Sequence, residues 1–79
     1  MKHYVFDSYA LIAFFRKEKS WKLIQELLIK MSNDEITGWI TAINVGEIYY
    51  MISRKNSAKQ ADLAIEALLN FPLNIVEAE

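Results

Sequence analysis

Two carboxylates stand out because nothing close in sequence compensates them. Asp7 ends the short apolar run from His3 to Phe6, and Glu47 lies six residues beyond Thr41 in a stretch of helical character. The residues three and four positions from Glu47 are Ile43, Asn44, Tyr50 and Met51, none of them basic, whereas helix-surface carboxylates often face a base at that spacing. A carboxylate taken out of water without a partner is costly, so it tends to acquire a metal, a distant base or a raised pKa. Two such groups at one edge of a fold suit Mg2+ or Mn2+, because hard cations favour oxygen ligands and Mg2+ keeps several waters beside one or two carboxylates. The plain alternative is that Asp7 caps a helix and Glu47 is a partly exposed glutamate.

The remaining residue types narrow the chemistry. His3 is the only histidine and belongs to the first strand, which excludes a histidine-rich metal site and makes a serine triad a poor reading. Cysteine is absent, so thiolate sites and disulfides are excluded too. The two glycines are too far apart to form a phosphate-cradling loop. Trp21 and Trp39 read as core or interface residues rather than platforms for stacked bases. A net charge of -1 gives the whole molecule no electrostatic signature of nucleic-acid binding. Two local basic clusters, one of Arg16, Lys17, Lys19 and Lys22 and one of Arg54, Lys55 and Lys59, read as solvated helix ends that permit phosphate contacts.

The elements that must position the two acids follow from periodicity. With 79 residues, 53% of them apolar or aromatic, and only two glycines and one proline, the chain reads as one ordered domain over residues 1–79. His3 to Phe6 reads as a buried strand, and a helix follows from Ser8 to about Lys17 with Asp7 or Ser8 as its cap. Ser20 is placed to cap a second helix, where Ile24, Leu27, Leu28 and Met31 repeat at helical spacing. Ser32, Asn33 and Asp34 supply turn chemistry before a second strand, Glu35 to Thr41, in which Gly38 suits a bulge.

Ala42 to Arg54 carries Val45, Ile48, Tyr49 and Ile52 on one stripe and Ile43, Tyr50 and Met51 on much of the other side. Such a helix needs cover on both faces. Ser57 to Gln60 fits a capping box for a fourth helix bearing Ala61, Ala64, Ile65 and Leu68, and Pro72 stops it before a third strand, Leu73 to Val76. The order β-α-α-β-α-α-β predicts an α/β fold with a parallel sheet and flanking helices, and it places Asp7 and Glu47 at the shared carboxyl edge of the strands.

Charged and polar residues interrupt every apolar run, so no membrane span is expected. The opening Met1-Lys2-His3 and the apolar stretch after it are broken by Asp7 and lack a small-residue cleavage site, which makes the cytoplasm the expected location.

The segment YVFDSYALIAFFRKE resembles the opening of PIN domains, where a hydrophobic strand ends in Asp, then Ser or Thr, then an apolar helix. The segment ITGWITAINVGEIYYMISR is similar to that family's next strand and its Glu-bearing helix, and FPLNIVEAE resembles the approach to the third strand of VapC-like members. The resemblance implies a toxin-antitoxin type ribonuclease, hydrolysing RNA with Mg2+ or Mn2+ held by Asp7 and Glu47 and with Ser8 in support of the first acid. It also implies an antitoxin protein as partner. PIN domains continue into further helices and strands that bring a third and usually a fourth acid, which this sequence does not reach, so the resemblance is to the N-terminal portion of the fold.

Glu77 and Glu79 follow the third strand without matching those acids. The resemblance puts the first strand between the second and a later fourth strand, which leaves its edge open here. A homodimer or higher oligomer covering that edge or the two-faced third helix is therefore expected. A non-catalytic module for oligomerisation or antitoxin binding is the alternative function. A third possibility is that the missing acids reside on another polypeptide.

Overall fold

The computed structural model describes residues 2–77. Its elements are β1 (Lys2–Val5), α1 (Ser8–Arg16), α2 (Trp21–Ser32), β2 (Ile36–Thr41), α3 (Ala42–Lys55), α4 (Ala58–Leu69) and β3 (Leu73–Val76). This is the expected order, with β1 starting and ending one residue earlier than the sequence pattern places it and, contrary to the buried strand expected, with Lys2, His3 and Val5 exposed. The three strands form one parallel sheet in the order β1-β2-β3, with Tyr4 opposite Gly38 and Ile40 opposite Ile75 in the two registers. All strands therefore end at the same edge, from which α1 and α3 depart.

Burial along β2 alternates between buried and half-buried residues. Ile36 and Ile40 join a single core cluster that takes Leu11 and Ile12 from α1, Leu28 and Met31 from α2, Ile48 and Ile52 from α3, and Leu68 from α4. The opposite face of the sheet carries Thr37, Trp39 and Thr41, each half-buried. The shortest dimension, 18 Å, fits one helical layer on one sheet, since stacked layers lie about 10 Å apart.

Three local expectations are corrected. Gly38 is not a bulge, because the ladder to β1 runs unbroken through it and the ladder to β3 begins at it in regular register. A Cβ there would run into Met31 Sδ and lie 3.0 Å from Phe6 Cε2 and 3.2 Å from Leu73 Cδ2, so the glycine lets α2 approach the middle strand closely. Ser20 precedes α2 but gives it no side-chain cap, since its left-handed backbone (φ 77°) does not aim the hydroxyl at the first turn. On α3 the cover is one-sided: Ile43, Tyr49 and Tyr50 remain exposed.

At α4 the serine half of the expected capping box forms. Ser57 Oγ accepts a hydrogen bond from the Gln60 amide at 3.0 Å. Ser57→Ala should lower the unfolding free energy by about 1 kcal/mol, seen as a lower urea midpoint at constant slope. An unchanged midpoint would show that this bond contributes nothing. Between α2 and β2, Asp34 adopts a left-handed backbone (φ 61°), while the Glu35 amide donates back to the Lys30 carbonyl at 2.9 Å and closes the helix.

Candidate functional site

The start of α1 is built by Asp7. Its backbone is extended (φ -100°, ψ 170°), and its Oδ1 accepts a hydrogen bond from the Ala10 amide at 2.8 Å, which makes it the N-cap. Ser8 is then the first helical residue, 3% exposed, and points across to α3. There its Oγ donates to Glu47 Oε1 at 3.5 Å, a long and hence weak hydrogen bond. Glu47 stands in the second turn of α3, whose start is fixed by Thr41 Oγ1 accepting from the Asn44 amide at 3.1 Å. The contact between Ser8 and Glu47 brings the N-terminal turns of two helices together at the carboxyl edge of the sheet, with Asp7 next to Ser8.

Both carboxylates are exposed, and among the described residues neither takes part in an ion pair. The expectation that burial would force a partner on Glu47 is therefore overturned. What remains is that both acids lie near the starts of adjacent helices, and each helix N-terminus carries the equivalent of about half a positive charge, which favours an anionic group beside it.

The donor set suits a hard cation. Asp7 keeps its second oxygen after capping, Glu47 keeps Oε2, and Mg2+ is commonly bound through one or two carboxylates and several waters. Among the described residues no three of His, Cys, Asp and Glu gather into one metal-binding group. Glu79 lies outside the described residues.

The other singled-out residues have structural surroundings. The Trp39 Nε1–H donates to His3 Nδ1 at 3.1 Å, with the rings 6.0 Å apart, so the lone histidine and this indole brace the open face of the sheet. Lys17 and Lys22 place their ammonium groups 5.6 and 5.8 Å from the Trp21 ring centre. Arg54 donates to the Tyr50 hydroxyl at 2.9 Å and lies over its ring. One arrangement went unread in the sequence: Arg16, from the first basic cluster, and Lys55, from the second, line the same groove. Only the packing of α1 against α3 brings them together, and no local pattern announces it.

Against known proteins, the chain matches no family model, no curated protein and no solved structure. Among the described residues no helix is long and apolar enough to cross a membrane.

Proposed function

We propose that the chain is a PIN-type, VapC-like ribonuclease polypeptide in which Asp7 and Glu47 hold Mg2+ or Mn2+ and RNA phosphodiesters are hydrolysed. The observation that supports this reading is the Ser8 to Glu47 contact, because Asp7 adjoins Ser8 at the strand edge where parallel α/β folds place their sites. A divalent ion held there would lower the pKa of a bound water and neutralise charge developing on the phosphate.

The chain's own residues supply the rest. Asp7 is oriented by its bond to the Ala10 amide, and Ser8 links the start of α1 to the Glu47 side chain. Exposure of both acids leaves the edge open to an extended single strand. The cytoplasm, RNA as substrate and an antitoxin-like protein partner belong to the same reading. It is tested by incubating the chain with single-stranded RNA and Mn2+. Cleavage should appear, stop on chelation and be lost in Asp7→Asn and Glu47→Gln; cleavage that ignores chelation sinks the reading.

A second reading, a non-catalytic module that assembles with itself or a protein partner, is favoured by apolar exposure. Val5 is 75%, Ile43 61% and Tyr50 58% exposed, and β1 has an open edge among the described residues. Light scattering at micromolar concentration should then report a dimer or larger species, and Ile43→Asp combined with Tyr50→Asp should return it to monomer. A monomer in the unmodified chain contradicts self-assembly.

A further inference from the structure

Away from the carboxylate pair lies a groove of about 590 Å³ formed by the end of α1, the end of α3 and one side of α4. That volume lies within the range of roughly 300–1,000 Å³ usual for small-molecule sites. Along α4 the groove follows Gln60, Leu63, Ala64 and Ala67, a single stripe at helical spacing. Phe15 and Ile52 complete an apolar wall, and Arg16 and Lys55 stand beside it. No acidic residue lines the groove.

Arg16 is poorly satisfied where it stands. Its Nη1 lies 3.7 Å from Glu18 Oε2, beyond hydrogen-bond length, and its Nη2 is covered by protein atoms without a hydrogen-bond partner. Covering a cationic donor without a partner is costly, and an oxyanion within reach of a guanidinium removes that cost through charge-assisted bonds. Arg16 lies eight residues along α1 from Ser8, and Lys55 eight along α3 from Glu47. At the helical rise this separates the groove from the acids by about 12 Å.

We propose that this groove binds a small amphipathic anion, its apolar body against Ile52, Leu63 and Ala67 and its oxyanion head on Arg16 and Lys55. The apolar wall supplies area and the two cations supply orientation and charge selection. A turn of the Arg16 guanidinium toward the groove pairs the head. The site is independent of the metal-dependent reading of Asp7 and Glu47 and stands or falls without it.

The test is a methyl and amide NMR titration of the full chain with three probes: 4-phenylbutyrate, its uncharged analogue 4-phenylbutanol, and acetate. Phenylbutyrate should shift Ile52, Leu63 and Ala67 to saturation, and phenylbutanol and acetate should each bind about tenfold more weakly or worse, as expected for loss of a charge-assisted pair or of the apolar contact. Arg16→Gln should weaken phenylbutyrate by a similar factor and leave phenylbutanol unchanged. Lys30→Gln, which removes one charge from exposed α2, should change neither.

If Arg16→Gln does not fold, Lys55→Gln on the exposed end of α3 carries the same test. Equal binding of acid and alcohol would overturn the proposal. So would equal weakening by Lys30→Gln, or shifts that fail to saturate or centre elsewhere.

Discussion

Asp7→Asn and Glu47→Gln are each expected to reduce metal-dependent RNA cleavage by at least about a hundredfold while the chain stays folded. Even partners that only orient a metal ligand typically cost about 10–100-fold when removed, and loss of a direct carboxylate ligand should exceed that. Asp7→Asn is the cleaner of the two changes. Asparagine caps helices about as well as aspartate, so the 2.8 Å bond from the Ala10 amide survives while the negative charge is gone.

Asp7→Ala removes both and should also cost about 1 kcal/mol of stability. In Glu47→Gln the amide oxygen can still accept from Ser8 Oγ, so the tie between the two helix starts is kept. Cleavage rates at fixed Mn2+, read beside urea unfolding curves, separate the two effects. Rates within threefold of the unmodified chain in both variants would remove Asp7 and Glu47 from the chemistry.

Gly38→Ala should destabilise the fold by about 1–3 kcal/mol, the usual cost of overpacking a filled interior. The added methyl meets Met31 Sδ, Phe6 Cε2 and Leu73 Cδ2 at once, and Met31 and Phe6 are buried at 2% and 3% exposure. For 79 residues the whole stability is on the order of 4–12 kcal/mol, so the loss is a large share of it. Met31→Ala alone leaves a cavity and should cost about 2–5 kcal/mol. In the double variant the new methyl occupies part of that space, and the total should fall short of the sum of the two single costs. Strict additivity in urea titrations would show that Gly38 does not owe its place to Met31.

The fold was readable because each element carries its own signal. The stripe Ile24, Leu27, Leu28, Met31 defines α2, Ser57 begins α4 and Pro72 ends it, and the alternation of helix pairs with strands dictates parallel pairing. What escaped the sequence depends on neighbours distant along the chain. Gly38 resembles a bulge until α2 is seen to lie on it. The two-faced pattern of α3 announces a need for cover but not where cover is lacking.

The sequence singled out Asp7 and Glu47 by their lack of local partners. It misjudged the environment of Glu47, because whether a second-turn glutamate is buried depends on how tightly α1 packs on α3. It paired Ser8 with Asp7, its neighbour, whereas the buried hydroxyl reaches Glu47. Arg16 and Lys55 share a groove only through that same packing, so their meeting was invisible one cluster at a time.

Titration of the chain with Mn2+, followed by paramagnetic broadening of its amide signals, addresses the carboxylate pair directly. Signals of Asp7, Ser8 and Glu47 should be lost first, at substoichiometric ion, and should persist when Asp7→Asn and Glu47→Gln are combined. Broadening that centres on other acids, or that is the same in the double variant, would contradict a divalent-ion site between the starts of α1 and α3.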